Sequence, residues 1–214
     1  MIQIKKFVFN AFQVNTYLLY DETNECVIID AACSTPEEEK ALQDFIENHQ
    51  LKPIMALNTH AHIDHILGNA FVCERYNIKL GAHSGGEMYL ETASSVANTY
   101  GLHLKKNIRP HFEISDHELL AVGNSLIMIL YTPGHAAGSV CIYCEEASFL
   151  ISGDVLFYQS IGRTDLPGGD YDLLKNSIWQ KLFVLPDETI VYPGHGPETN
   201  IGSEKVNNPF VAIG

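Results

Sequence analysis

The residues best suited to chemistry are five histidines and two aspartates, each placed where an apolar, strand-like run ends. They are His60, His62, Asp64, His65, His135, Asp154 and His195. Imidazole and carboxylate are the usual ligands of zinc, iron and manganese in hydrolytic sites. Seven such ligands are too many for one tetrahedral ion and suit two adjacent ones. If these strand ends lie at one edge of packed sheets, the sequence predicts a catalytic site for two divalent cations.

The strongest single signal is the loop that follows the apolar run 55–59. His60 and His62 alternate in an extended segment, so both imidazoles point to the same side. Asp64 and His65 follow where the chain turns into a helix, and we expect them to face a neighbouring position. The alternative interpretation, a histidine-rich surface loop without function, is disfavoured because three histidines and an aspartate within six residues directly follow a strand.

The remaining three candidates come later in the chain and are weaker one by one. His135 and His195 each follow a Pro-Gly pair, which is a common turn whose next residue is usually just polar. Two such turns beside the histidine-rich loop favour ligands, because a tight turn fixes where a side chain points. Asp154 is either a plain turn residue or a carboxylate whose two oxygens bridge the cations.

Other polar residues have a structural explanation beside the functional one. Asp30 ends a strand, where turn or cap chemistry is the favoured interpretation. Ser139 either hydrogen-bonds near the site or caps a turn. Cys141 and Cys144 fall on opposite faces of one strand, which argues against a zinc site or a redox pair. The other histidines lack ligand spacing and are expected at the surface: His49, His83, His103, His111 and His117.

Two segments could contact a substrate. Arg163 lies in a glycine-rich loop and is a candidate for binding a substrate carboxylate. A salt bridge with Asp165 or Asp170 is the favoured alternative. Residues 100–109 form the one basic patch of the sequence, and they are either a substrate edge or a solvated loop.

The elements that position these residues alternate between strands and helices. Strands are predicted at 2–9, 15–20, 26–29, 53–59, 78–81, 118–121, 126–131, 140–144, 149–152 and 190–192. Helices are predicted at 36–50, 68–77, 85–98 and 171–184, the first opened by a hydroxyl cap and a proline. No Gly/Ser or Pro linker divides the chain, so we expect one domain over 1–214. The predicted fold class is α/β, a four-layer α/β/β/α sandwich of two mixed β-sheets with helices outside.

Composition narrows the function classes. Hydrophobic residues make up 46% and charged residues 18%, which supports a substantial core. The net charge of −13 disfavours nucleic acid and membrane surfaces as partners. No apolar signal core follows the first lysines, and the odd number of cysteines has no framework spacing. Both observations favour a reducing, cytoplasmic location.

Taken together, the motifs resemble the metallo-β-lactamase superfamily over nearly the whole chain. Residues 59–65 match its H-x-H-x-D-H hallmark, and the later histidine, aspartate and histidine come in the family's order. Segments 162–169 and 192–199 are similar to the glyoxalase II-like branch. The resemblance implies that His60, His62 and His135 bind a first metal ion. It implies a second ion on Asp64, His65 and His195, with Asp154 bridging the two.

The resemblance implies hydrolysis of a small acyl thioester, such as a hydroxyacyl conjugate of a low-molecular-weight thiol. Two divalent cations would activate the attacking water, with zinc expected ahead of iron or manganese, and Asp64 would orient it. Only residues 196–214 follow His195, which is too few for the helical domain that binds glutathione in two-domain glyoxalase II enzymes. Glutathione specificity is therefore not implied.

Three other functions are open at this stage. A mononuclear iron enzyme similar to persulfide dioxygenases would use His60, His135 and Asp154. Hydrolysis of β-lactams or lactones is the third possibility within the superfamily. An inactive metal-storing relic is disfavoured, because all seven ligand positions are filled.

Overall fold

The computed structural model describes residues 1–213, and the first six strands form one mixed sheet. They are β1 (Gln3–Phe9), β2 (Val14–Tyr20), β3 (Glu25–Ile29), β4 (Lys52–Leu57), β5 (Lys79–Ala82) and β6 (Phe112–Glu113). The strands lie in sequence order across the sheet. The pairs β1–β2 and β2–β3 are antiparallel, and β3 to β6 are parallel.

The second half of the chain builds a second mixed sheet and a small hairpin. Its strands are β7 (Leu119–Val122), β8 (Ser125–Tyr131), β9 (Val140–Cys144), β10 (Phe149–Gly153), β11 (Leu156–Phe157), β12 (Ser160–Ile161), β13 (Ile190–Pro193) and β14 (Thr199–Asn200). The sheet order is β14-β13-β10-β9-β8-β7, and β11 pairs only with β12. The β10–β13 pair is parallel, whereas the other neighbours in this sheet are antiparallel.

Within residues 1–213, six α-helices connect and cover the sheets. They are α1 (Pro36–Asn48), α2 (Ile63–Ile66), α3 (Asn69–Tyr76), α4 (Glu87–Thr99), α5 (Tyr171–Ser177) and α6 (Ile201–Asn207). Thr35 caps α1 in a reciprocal capping box with Glu38, which confirms the predicted hydroxyl cap. The helix predicted over 171–184 changes after Ser177 into a wider π turn, Ile178–Leu182. Leu182 and Phe183, at the end of this turn, are both buried in the core.

The alternation of side chains along the strands explains the layers. Tyr17 and Leu19 of β2 pack between the two sheets, against Ile129 and Ile142 of the second sheet. Leu18, between them in sequence, points outward and packs under α1 and α3. On the far side, α5 and the π turn cover the outer face of the second sheet. These layers confirm the predicted α/β/β/α sandwich.

The same alternation separates the two cysteines of the C-x-x-C stretch. Cys141 belongs to the outer core under α5, whereas Cys144 belongs to the core between the sheets. They therefore face away from each other, as predicted, and all five cysteines are buried free thiols. Among residues 1–213, no helix combines the length and the apolar character that a membrane span requires.

Candidate metal centre

The seven predicted ligand residues all lie where strands end, and the fold brings them to one edge of the sandwich. His60 and His62 follow β4, and Asp64 and His65 lie on α2 immediately afterwards. The other three lie after β8, β10 and β13, and they are His135, Asp154 and His195. Because β8, β10 and β13 run in the same direction, their carboxyl ends meet at the same edge.

The first ligand group consists of His60, His62 and His135. One ring nitrogen from each lies within 4.8 Å of the others, and His62 Nδ1 is 3.0 Å from His135 Nε2. Burial lowers the pKa of His60 well below its usual value and that of His62 to about 4. These imidazoles are therefore neutral at physiological pH, and their clustered ring nitrogens are available to a metal ion.

The second ligand group consists of Asp64, His65 and His195, and it contains negative charge. His195 Nε2 lies 3.3 Å from His65 Nε2 and 3.4 Å from Asp64 Oδ2. Burial lowers the pKa of His195, but hydrogen bonds to Asp154 and Asp64 outweigh it and raise the value to about 9. This group therefore attracts a positive charge, whether a proton or a metal cation.

Asp154 lies between the two groups. Its carboxylate oxygens are 3.4 Å from His65 Nε2, 3.5 Å from His195 Nε2 and 3.7 Å from His135 Nε2. Burial opposes its ionisation, but the neighbouring His65 holds the pKa of the Asp154 carboxyl well below its usual range. One carboxylate is thus in reach of both ligand groups.

Asp30 has a more direct role than the turn or cap that its sequence position favoured. It adopts a left-handed turn conformation, but its buried carboxylate accepts hydrogen bonds from Thr59 N and Thr59 Oγ1, both at 2.7 Å. The same carboxylate lies 3.0 Å from His65 Nδ1. Because both of its oxygens are engaged, Asp30 orients the histidine-rich loop and is not itself a free ligand.

Protein acceptors also fix the outer nitrogen of three other histidines. His60 Nδ1 lies 3.1 Å from Thr59 Oγ1. His135 Nδ1 is 2.8 Å from the carbonyl oxygen of Arg163, and His195 Nδ1 is 3.0 Å from that of Phe12. Each outer nitrogen therefore donates to a protein acceptor, and the other nitrogen faces the site.

His62 is the exception among the five histidines. Its Nε2 is buried and has no hydrogen-bond partner within residues 1–213, and the ring of Tyr89 packs edge-on against it at 4.9 Å. The Tyr89 hydroxyl donates to the Pro167 carbonyl at 3.0 Å and accepts from Ala137 N at 3.1 Å. On the side away from the site, packing rather than a hydrogen bond holds this imidazole in place.

Two glycines allow the close approach of these elements. Gly153, after Ile151 and Ser152 of β10, has φ of +49°, a conformation that glycine adopts without strain. A Cβ on Gly194 would collide with the Asp154 carboxylate and with His65. The Pro-Gly turn before His195 is therefore needed for space as well as for direction.

A cavity of about 660 Å³ opens onto the ligand residues. One face of α4 forms a wall, the segment 163–167 forms another, and the rings of Phe12 and Tyr100 lie at the rim. Arg163 lines the cavity, but its guanidinium forms the bidentate ion pair with Asp165 that the sequence favoured. Its role in substrate binding remains a prediction.

The other candidates lie apart from the ligand groups. Ser139 is buried, and its Oγ accepts a hydrogen bond from Ala136 N. Of the two predicted roles, this contact is the turn cap. The segment 100–111 is irregular, as predicted, and of its residues Tyr100 lines the cavity. His83 is partly buried against the ring of Tyr131, and the other four histidines are exposed: His49, His103, His111 and His117.

Sequence reasoning undervalued Asp30 and missed Thr59 and Tyr89. The signal for Asp30 was its place at the end of a buried strand, but its partners lie about thirty residues further along the chain. Tyr89 carries no signal in the sequence, because it acts through packing against His62.

The donor set fits divalent metal ions with nitrogen preference. His60 Nε2 and Asp154 Oδ1 are buried without a hydrogen-bond partner in the described chain, which an ion would satisfy. Five imidazoles and two carboxylates suit zinc or iron, whereas magnesium and calcium prefer oxygen ligands.

Two known proteins are similar in sequence over nearly the whole chain. "Probable metallo-hydrolase YqgX" of Bacillus subtilis is 38% identical, and the alignment covers 93% of this chain and 92% of that protein. "Hydroxyacylglutathione hydrolase GloC" of Haemophilus influenzae is 34% identical, with 94% of each chain covered.

Three solved structures are similar over nearly the full length of this chain. The BLEG-1 B3 metallo-beta-lactamase has a TM-score of 0.90 and 37% identity, covering 99% of this chain and all of that one. TTHA1623 in a di-iron-bound form has a TM-score of 0.86 and 34% identity, covering 96% and 99%. ETHE1 from Myxococcus xanthus has a TM-score of 0.79 and 27% identity, covering 98% and 84%.

The family model of the metallo-beta-lactamase superfamily matches residues 9–195, a range that runs from the end of β1 to the last ligand residue. The chain therefore belongs to the metallo-beta-lactamase superfamily.

Proposed function

We propose that this protein is a dinuclear metal-dependent hydrolase that cleaves small acyl thioesters. The observation that carries the proposal is the pair of three-residue ligand groups with the Asp154 carboxylate between them, at the end of an open cavity. The names of the relatives support it, since one is a probable metallo-hydrolase and another a hydroxyacylglutathione hydrolase. The di-iron form of TTHA1623 supports two ions.

Each residue has a definite task in this proposal. His60, His62 and His135 would hold one cation, Asp64, His65 and His195 the other, and Asp154 would contact both. When bound, such cations lower the pKa of a water to about 7 and polarise the substrate carbonyl. Zinc is our first choice, with iron or manganese as alternatives.

Asp64 is suited to accept a hydrogen bond from the attacking water. Burial opposes its ionisation, but His65 and His195 hold the pKa of the Asp64 carboxyl below its usual range. It therefore remains a carboxylate at neutral pH, and it lines the cavity. A protein nucleophile is unnecessary, and a thiol with a pKa of about 8.5 leaves readily without a dedicated acid.

Thioester cleavage by metal-loaded and chelator-treated protein tests the proposal. We expect thiol release from a small hydroxyacyl thioester by the loaded protein, its loss after chelation and its return with zinc or iron. A protein that carries two ions but cleaves only β-lactam or lactone rings would refute the thioester assignment.

One observation favours a second candidate, an oxidoreductase that uses a single iron. His60, His135 and Asp154 provide two imidazoles and a carboxylate, the ligand set of many non-haem iron oxygenases. The likeness to ETHE1 from Myxococcus xanthus adds weight to this candidate. One iron per chain together with persulfide-dependent oxygen consumption would establish it instead of the hydrolase.

A further inference from the structure

We infer that the site accepts thioesters whose thiol carrier is uncharged and largely apolar, and that carriers bearing carboxylates are poor substrates. This inference rests on the proposed thioester hydrolysis and names its substrate class. A small acyl group occupies a minor part of a 660 Å³ cavity, so the carrier must fill most of the rest. The walls of the cavity therefore select the carrier.

The wall beyond the ligand groups is mostly apolar. Met88 and Val96 project from α4, Leu166 lies opposite on the segment 163–167, and Phe12 and Tyr100 meet edge to face at the rim with centroids 5.7 Å apart. Covering such an apolar surface with an apolar ligand removes it from water, which favours binding.

Positive charge for a carboxylate is scarce along this wall. Within residues 1–213, Arg163 is the one lysine or arginine that lines the cavity. Its Nε and Nη2 donate to the two oxygens of Asp165, each at 2.7 Å. This bidentate pair engages one edge of the guanidinium and places a protein carboxylate beside its charge.

The basic segment 100–111 does not supply the missing charge. Lys105 pairs with Glu39 at 2.5 Å, and Lys106 pairs with Glu74 at 2.7 Å. Arg109 contacts Glu87, and none of the three cations lines the cavity.

Along this wall, away from the ligand groups, a carboxylate of the carrier would meet apolar surface and, within the described chain, no cation that is not already paired with a carboxylate of the protein. Removing a charged group from water without pairing it is strongly unfavourable. The Haemophilus influenzae relative is named for glutathione, a carrier that bears two carboxylates. We therefore expect this protein to prefer a different carrier.

The test compares thioesters that share one hydroxyacyl group and differ in the carrier. The metal-loaded full-length protein is assayed with the esters of N-acetylcysteamine and pantetheine, which are neutral, and of glutathione. We expect kcat/KM to be at least about tenfold higher for the neutral carriers. Equal or better cleavage of the glutathione ester would overturn the inference and leave the thioesterase function standing. Cleavage of none of the three esters would refute the proposed function itself, and the inference with it.

A matched pair of variants tests the charge argument directly. Thr92 is exposed on the cavity wall, and its hydroxyl bonds only to carbonyls of its own helix, Met88 and Tyr89. Thr92→Lys should raise the ratio of glutathione to neutral-carrier kcat/KM by about tenfold at low salt, with a smaller gain at high salt. Thr92→Gln, of similar length without charge, should leave that ratio near the wild-type value. An equal change in both variants would contradict the inference.

Discussion

The two ligand groups differ in charge, although one loop and helix contribute to both. Burial keeps the imidazoles of His60 and His62 in the first group neutral. In the second group, carboxylates raise the pKa of His195 to about 9 despite burial. The first group is therefore ready for a metal ion at neutral pH, whereas an ion entering the second group must displace protons.

The groups also differ in how their histidines are held. In the second group, His65 is fixed by Asp30 and His195 by the Phe12 carbonyl. In the first group, the outer nitrogen of His62 is buried without a partner in residues 1–213, and Tyr89 packs beside it. Position therefore depends on hydrogen bonds in one group and partly on packing in the other.

The largest effect should come from removing the carboxylate that both groups share. Asp154→Asn should lower thioester kcat/KM by at least about a hundredfold, since even outer partners of metal ligands are worth 10–100-fold. Steady-state kinetics and metal content measure this. Asp44→Asn on α1, whose side chain is 47% exposed, is the control and should retain wild-type activity. Retained activity in Asp154→Asn would remove the basis for treating the groups as one centre.

Loss of the Asp30 carboxylate should weaken the second group more than the first, because Asp30 contacts His65 directly but reaches His60 only through Thr59 Oγ1. Asp30→Asn leaves one acceptor oxygen, whereas Thr59 N and His65 Nδ1 need two, so we expect the affinity for the ion at the second group to fall by about 10–100-fold and that at the first group by less. A metal titration with a competing chelator measures it. Asp21→Asn is the control, because it alters another buried carboxylate, one that accepts hydrogen bonds from Thr23 N and Asn124 N. It should lower stability without changing metal affinity. Equal loss at both metal positions in Asp30→Asn would show that the anchor is not selective.

Metal affinity should depend on pH in one group and much less in the other. His195 is protonated below a pKa of about 9 in the metal-free protein, so its proton must leave before an ion binds. Affinity at the second group should therefore fall by about tenfold per pH unit below that value for each proton displaced. At the first group, His62 with a pKa of about 4 should give a nearly flat profile near neutral pH. Chelator-competition titrations across this pH range compare the two, and identical slopes would contradict the difference in charge.

The smallest effect should come from Tyr89→Phe. The variant keeps the ring against His62 and loses the hydroxyl bonds to Pro167 and Ala137. Each such bond contributes about 0.5–1.5 kcal/mol to the stability of the fold, so a small drop in the free energy of unfolding is expected, with kcat and metal occupancy close to wild type. Tyr89→Leu also removes the ring and should lower kcat and metal occupancy at the first group. If Leu and Phe behave alike in kinetic and metal assays, packing does not position His62.

The features that the sequence predicted correctly depend on residues close together in the chain. An apolar run followed by His60 and His62, or by a Pro-Gly turn and His135, marks both a strand and the residue at its end. Period-two alternation also placed Cys141 and Cys144 on opposite faces without any tertiary information.

What depends on distant partners was not predictable. Asp30 gains its role from His65, which is 35 residues away in the chain. The pairing of Lys105 with Glu39 likewise exists only in the folded protein, so the basic segment looked available for a substrate. Short elements such as α6 and the β11–β12 hairpin were missed, because two to seven residues show too little periodicity.

Counting metal ions in matched ligand variants tests the central claim, two adjacent ions on two distinct groups, most directly. Wild-type protein, His62→Ala and His65→Ala would be loaded with zinc, freed of excess metal and measured by mass spectrometry. We expect about two ions per chain in the wild type and about one in each variant. A single ion in the wild type that His65→Ala leaves in place would contradict the dinuclear account.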